Sequence, residues 1–147
     1  MKRIALLGMP NTGKSTFFNR VTGASARVGN WPGITVDLMR AKILLGGHIA
    51  ELIDLPGIYD LHGFSDDEQV VRHFLTAAKV DLMMIVANSS QIDRQLSLAL
   101  QLKSLGIPAM LLLNMSDEAK RAGIRIDTKK MAGKLGVPVM QISAKFG

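Results

Sequence analysis

Short apolar runs recur along the chain, separated by stretches whose apolar positions return at helical spacing. Residues 4–7, 82–87, 109–114 and 139–142 are such runs, uninterrupted by charge. Runs of that length and purity predict strands buried on both faces, as in a mostly parallel sheet. Residues 14–22, 65–78 and 127–135 predict helices. Ser65 and Glu68 have capping-box spacing, with Ser65 as N-cap, and Gly136 stops the third helix. Residues 36–45 and 48–54 flank Gly46-Gly47 and predict a hairpin, whereas 8–13, 23–33 and 55–64 predict loops. Residues 93–105 are ambiguous. Leu96, Leu98, Leu100 and Leu102 alternate at strand period, but the length, the helix formers and Gly106 as a stop predict a helix. Strands alternating with helices predict an α/β three-layer sandwich: a mostly parallel six-stranded sheet with helices on both faces. A closing helix over the last strand is expected and is not in the sequence, so the single domain 1–147 reads as a fragment of a longer protein.

Composition narrows the class. At 147 residues, 48% hydrophobic and 20% charged, the chain has a core to bury and does not read as disordered. The absence of cysteine excludes disulfides and thiolate zinc sites and is compatible with a reducing compartment. The net charge is +6, with lysines and arginines spread along the sequence and no interleaved aromatics. These read as scattered solvated charges, and no nucleic-acid partner is expected. Every apolar run falls far short of the ~20 residues of a membrane span. Residues 1–10 are too short for a signal peptide.

The chemistry lies in the loops. Gly8-Met9-Pro10-Asn11-Thr12-Gly13-Lys14-Ser15 fits G-x-x-x-x-G-K-[ST] between a strand and a helix. The pattern implies a phosphate cradle of backbone N–H groups at a helix N-terminus. Lys14 would then reach the β- and γ-phosphates and the Ser15 hydroxyl would ligate Mg²⁺, with Thr16 beside it. Asp54-Leu55-Pro56-Gly57 ends the hairpin. Alone it could be an ordinary turn; after a phosphate loop it implies a carboxylate for Mg²⁺ through water and a Gly57 N–H for the γ-phosphate. Asn114-Met115-Ser116-Asp117 approximates N-K-x-D, whose aspartate accepts two hydrogen bonds from guanine that adenine cannot supply. Met115 replaces the usual lysine. Ser143-Ala144-Lys145 would contact the base from the other side. Thr35, in Gly33-Ile34-Thr35, is placed to supply a second Mg²⁺ hydroxyl. The order of these motifs implies a Mg²⁺-dependent GTPase, with GTP as substrate and GDP as product. Ile58, where Ras-type GTPases carry a water-orienting glutamine, implies slow intrinsic turnover. His48, His62 and His73 are scattered and read as surface residues.

Residues 28–36 (Val-Gly-Asn-Trp-Pro-Gly-Ile-Thr-Val), Asp54 to Tyr59, Ser65 with Asp67-Glu68, Asp93-Arg94-Gln95-Leu96 and Asn114 to Ala119 together resemble the N-terminal G domain of the bacterial ferrous iron transporter B (FeoB) family. The resemblance covers almost the whole chain and is most discriminating at 28–36. It implies a cytosolic P-loop GTPase domain on the cytoplasmic face of the bacterial inner membrane. There it would couple or gate Fe²⁺ transport, with a helical regulatory domain and a membrane region as partners; homo-oligomerisation stays open. It also implies potassium activation, with Asn11 and the carbonyls of Gly29 and Trp31 as the K⁺ ligands. The candidate catalytic residues are Asn11, Lys14, Thr35 and Gly57. Met9 departs from the family's usual Asn, and Asn88 from an Asp-Ala pair. The competing readings are a ribosome-assembly or tRNA-modification GTPase and a nucleotide-sensing switch with negligible catalysis; an ATPase is weakest, because Asn114 and Asp117 argue for guanine.

Overall fold

The computed structural model describes residues 1–143. Seven strands form one sheet: β1 (Lys2–Gly8), β2 (Arg27–Gly29), β3 (Leu38–Leu45), β4 (His48–Asp54), β5 (Leu82–Asn88), β6 (Ala109–Asn114) and β7 (Val139–Gln141). Their spatial order is β2-β3-β4-β1-β5-β6-β7. β4, β1, β5, β6 and β7 are mutually parallel, β3 is antiparallel to β4, and β2 is antiparallel to β3. The fold class is the expected α/β sandwich, but the expected six strands become seven. The added strand is β2, from a segment expected to be loop. It is three residues long, largely exposed and flanked by glycine-rich turns, so it carries no burial period; its pairing of Gly29 with Leu38 comes from β3.

The helices are α1 (Lys14–Thr22), α2 (Asp66–Ala77), α3 (Ile92–Lys103), α4 (Ser116–Arg121) and α5 (Thr128–Leu135). α1 seats Phe18 on one face of the sheet, against Ile4, Leu6, Leu52 and Val86. α2 and α3 bury Phe74, Val71, Leu98 and Leu102 on the other, against Ala5, Leu7, Ile53 and Ile85, with Met131 and Leu135 of α5 packed at its margin. The four residues Ile4 to Leu7 are at most 2% exposed, so β1 is buried on both faces as its apolar run predicts.

The leucine alternation in α3 resolves by helical geometry: Leu98 and Leu102, four apart, face the core, while Leu100 is turned outward. Ser65 caps α2 by accepting from the Glu68 N–H, and the Glu68 carboxylate accepts from the Ser65 hydroxyl at 2.5 Å. Asp127 caps α5, and Gly136 ends it at φ +71°. α4 is an element that sequence periodicity did not predict, because six residues carry too little pattern. Among the described residues, no helix is long and apolar enough to cross a membrane.

One defect has a measurable consequence. After β5 the chain makes a tight turn at 89–91, with Asn88 Oδ1 accepting from the Ser90 N–H at 2.9 Å. Ser89 in that turn is fully buried, and its hydroxyl has no hydrogen-bond partner among the described residues. A buried unsatisfied hydroxyl costs roughly 1–3 kcal/mol. Ser89→Ala is therefore expected to raise unfolding stability by about 1 kcal/mol, measured by urea denaturation; a loss of stability would mean that the hydroxyl is satisfied.

Candidate functional site

Because five strands are parallel, β1, β4, β5 and β6 all end at one edge of the sheet, and the predicted chemical loops that follow β1, β4 and β6 leave from it. The glycines there are demanded by contact. A Cβ on Gly8 would lie 2.5 Å from the Val86 carbonyl oxygen. One on Gly13, at φ +79°, would lie 2.3 Å from Asn114 Nδ2. Thr12 is fully buried, and its hydroxyl donates to the Met9 carbonyl at 3.1 Å. Asn11 takes φ +64°, a left-handed conformation that asparagine tolerates, and stays exposed. α1 then starts with no acidic residue in its first turn, so its N–H groups and positive dipole end are not neutralised from within the helix.

These residues line an open cleft of about 440 Å³: Met9, Pro10, Asn11, Gly13, Lys14, Ser15 and Thr16, closed by Gly57 and Asp67. Its size suits a small ligand. An apolar gap of about 10 Å³ beneath α3 and α5, lined by Ala99, Leu111 and Val137 among others, would hold at most one water. Lys14 is buried and ion-paired to the Asp54 carboxylate at the end of β4, and its ammonium also donates to the Leu55 carbonyl at 2.6 Å. A lysine taken from water needs such partners. The D-x-x-G segment is sewn to the phosphate loop. Leu55 N–H donates to the Leu6 carbonyl at 3.1 Å, and Ile58 N–H to that of Gly8 at 3.0 Å. A Cβ on Gly57 would sit 3.0 Å from the Pro10 nitrogen. Ile58 itself is 2% exposed in the core shared with α2, so its side chain points away from the chemistry.

The base-side residues converge on the same loop. Asn114 ends β6 and donates from Nδ2 to the Thr12 carbonyl at 2.9 Å. Met115 takes φ +59°, and its methyl lies 3.4 Å from where a Gly13 Cβ would be. It therefore gives apolar cover at a place where the motif usually carries a lysine stem. Asp117, in the first turn of α4, accepts from the Ser143 hydroxyl at 3.1 Å and from Arg121 at 3.2 Å. Partial desolvation pushes its pKa up. The Ser143 hydrogen bond, backbone N–H groups and Arg121 outweigh that and hold it below the ordinary carboxylate value. The Arg121 partner is legible in the sequence as an i, i+4 pair with Asp117. Asp67 as a cleft residue had no signal in the sequence. Ala144 and Lys145 lie outside the described residues.

The segment 29–35 is placed elsewhere. None of Gly29, Trp31, Gly33, Ile34 or Thr35 lines the cleft. The Trp31 indole meets the Phe74 ring edge-on, with centroids 4.9 Å apart, and the guanidinium carbons of Arg3 and Arg40 lie 4.9 and 5.4 Å from it. Buried Glu51 pairs with Arg40 at 3.0 Å and Arg3 at 3.6 Å. Gly33, at φ +77°, sits where a Cβ would be 2.4 Å from the His73 ring. Arg3 stands five residues before Gly8 on β1, roughly 16 Å at strand rise. Trp31 is thus held against α2 and two arginines, outside the residues that line the cleft, and Thr35 is exposed. The three histidines are exposed, and no cluster of three or more His, Cys, Asp or Glu suited to a metal occurs among the described residues.

Comparisons with known proteins agree with one another. The family model described as "Ferrous iron transport protein B" (FeoB_N) matches residues 2–147. The Fe(2+) transporter FeoB of Synechocystis sp. is 58% identical over 146 residues, 99% of this chain but 24% of that protein, so the chain spans about a quarter of this relative's length. The cytosolic domain of the T. maritima FeoB iron transporter in a GDP form superposes with a TM-score of 0.94 at 37% identity, covering 100% of this chain and 58% of that one. In its GMPPNP form the TM-score is 0.93, at the same identity and coverage.

Trp31 is the only tryptophan, so its emission reports where segment 29–35 sits. Arg40→Gln and Phe74→Leu are each expected to red-shift that emission and to increase acrylamide quenching. Emission unchanged in both variants would mean that the indole is not held where described.

Proposed function

This chain belongs to the ferrous iron transport protein B family, and from that membership we propose that it binds GTP in the cleft and hydrolyses it to GDP and phosphate. The observation that carries the reading is the stitching of three loops into one rigid edge. Asn114 Nδ2 holds the Thr12 carbonyl, and Ile58 N–H holds that of Gly8. A phosphate cradle, a γ-phosphate N–H and a base-reading aspartate then stand in fixed relation, and positioning is most of phosphoryl-transfer catalysis. The GDP and GMPPNP forms of the T. maritima relative support it.

Each residue has a part. Backbone N–H groups of residues 8–16 and the start of α1 cradle the phosphates. Lys14 exchanges its partners at Asp54 and Leu55 for the β- and γ-phosphates. Ser15 and Asp54 offer the hard oxygen donors that suit Mg²⁺, which when bound neutralises charge on the phosphate oxygens. Gly57 N–H meets the γ-phosphate. Gly33, Ile34 and Thr35 complete the site once their segment reaches the cleft, Thr35 adding a hydroxyl. Asn114, Met115 and Asp117 read the base, with Ser143, Ala144 and Lys145 closing over it. Asn11 with the carbonyls of Gly29 and Trp31 offers oxygens for K⁺, whose charge would stand in for an arginine finger. In the complete protein the domain would sit on the cytoplasmic face of the bacterial inner membrane and couple or gate Fe²⁺ passage through the membrane region.

Asp117→Asn should lose GTP affinity and gain xanthosine triphosphate affinity, because the amide complements only the altered base edge. Titration with fluorescent nucleotides measures this, and unchanged GTP binding removes Asp117 from base reading. The lowered Asp117 pKa adds a pH signature. The carboxylate stays charged until the pH falls through that lowered value, so replacing Asp117 should change GTP affinity by the same factor from about pH 7.5 to about pH 5.

Turnover should be faster in potassium than in sodium at equal ionic strength. The difference should vanish in Asn11→Ala while GTP still binds, as followed by phosphate release. Equal rates in the two salts for the unmutated chain would sink the potassium role.

A further inference from the structure

The net charge of +6 is unevenly placed. Residues 1–102 hold ten Lys and Arg against nine Asp and Glu, whereas residues 103–147 hold eight against three. Five of the six net charges therefore fall in the last third of the chain, and the fold gathers the seven cations among its described residues. Lys103 ends α3; Lys120 and Arg121 lie on α4; Arg125 lies in the connector; Lys129, Lys130 and Lys134 lie on α5; and all seven are exposed. Charges that read as scattered along the sequence thus share one end of the sheet. Lys103 Nζ lies 3.3 Å from where a Cβ on Gly136 would be, so the ends of α3 and α5 stand side by side. Arg121 with Asp117 is the only ion pair found for these cations among the described residues. Asp127 is engaged as the α5 cap, accepting from the Lys130 N–H at 3.1 Å. α5 has no fully buried residue.

We infer that this α3–α5 edge, centred on Lys129, Lys130 and Lys134, rests on an anionic phospholipid surface. The inference depends on the proposed placement of the domain beside a membrane. The side chains favour lipid over the alternatives. Of the five lysines and arginines on α4 and α5, all but Arg121 are lysines, compact point charges on flexible stems. Such groups suit a diffuse negative layer better than the bidentate geometry of a defined phosphopeptide. Residues 103–143 contain no aromatic residue, so this edge has no platform for stacking bases. Tethering to a membrane region would keep the lipid at high effective concentration, so contacts that are individually weak suffice.

The test is co-sedimentation of the chain with vesicles of phosphatidylcholine alone or mixed with phosphatidylglycerol, with fluorescent GDP titrated in parallel. Binding should require the anionic lipid and fade at high salt. Lys129→Gln, Lys130→Gln and Lys134→Gln combined should lower vesicle affinity by on the order of a hundredfold, since each lysine near an anionic surface contributes about tenfold or less. The same triple variant should keep GDP affinity and thermal stability. A control, Lys2→Gln with Arg20→Gln and Lys79→Gln, removes equal charge elsewhere and should bind vesicles as the unmutated chain does. Equal losses in both triple variants, or no vesicle binding at all, would overturn the inference, as would tight binding to single-stranded RNA that displaces the vesicles. Loss of GDP binding by the unmutated chain would instead count against the nucleotide reading and leave the vesicle result to stand separately.

Discussion

A single buried amide fixes the candidate site. Asn114 leaves β6, is 3% exposed, and gives a hydrogen bond across 102 residues of chain to the Thr12 carbonyl in the phosphate loop. The bond is far from water, so breaking it would strand the Thr12 carbonyl at a cost of roughly 1–3 kcal/mol. It dictates other choices around it. Gly13 must lack a side chain because Asn114 Nδ2 occupies the space, and Thr12 must turn its hydroxyl inward to Met9. Met115 is driven into a left-handed conformation that lays its side chain toward the same glycine and lets α4 begin one residue later with Asp117 outward. The spacing between the 8–15 loop and the 114–117 segment, the proposed phosphate cradle and base reader, is thereby tied directly, without a long lever of flexible chain.

Charge is handled by the same economy. Two buried ionisable groups, Lys14 and Glu51, each have opposite charges beside them, as desolvation requires. They serve different ends of β1. Lys14 is held at the cleft edge between the Asp54 carboxylate and the Leu55 carbonyl, partners that it would exchange for phosphates under the proposed function. Glu51 holds Arg3 and Arg40 together at the far end, where their planar cations meet the Trp31 ring. Leaving the pair Arg3 and Arg40 without Glu51 would place two like charges against one indole, so the anchoring of Trp31 depends on a carboxylate it does not touch.

Most of the architecture was legible because the central strands are apolar throughout and the loop motifs are local. Helices 14–22 and 127–135 and strand 109–114 fall within a residue or so of where period and caps put them. What was not legible follows from contact. β2 exists only because β3 offers an edge, and α4 is too short to show a period. The basic edge on α3, α4 and α5 is invisible in a chain where its members are up to 31 residues apart, from Lys103 to Lys134. The phosphate-loop glycines could be read as glycines that a motif demands; that Val86 and Asn114 are the atoms excluding a Cβ could not. The place of segment 29–35 was the largest surprise. Its residues carry the strongest family pattern, yet Trp31 lodges against Phe74 and His73 abuts Gly33, both contacts made by side chains of α2 some forty residues on.

That location bears on how turnover would be controlled. Ile58 is locked in the core and its N–H is spent on the Gly8 carbonyl, so the position that orients water in Ras-type enzymes has no free group here. The D-x-x-G side has no room for a side chain at Gly57 either, where a Cβ would lie 3.0 Å from the Pro10 nitrogen. On the proposed mechanism, chemistry at the γ-phosphate would then wait on groups from segment 29–35: the Thr35 hydroxyl and the carbonyls of Gly29 and Trp31. Each arrives only when the indole gives up Phe74 and two guanidinium groups. An edge-on aromatic pair contributes about 0.5–1.5 kcal/mol and a cation–π contact about 0.5–1 at an exposed site. The sum is small enough for triphosphate contacts to overcome and large enough to keep the segment docked otherwise. A rate set by that exchange would be tuned by residues on α2 and at the far end of β1, without altering any atom that touches phosphate.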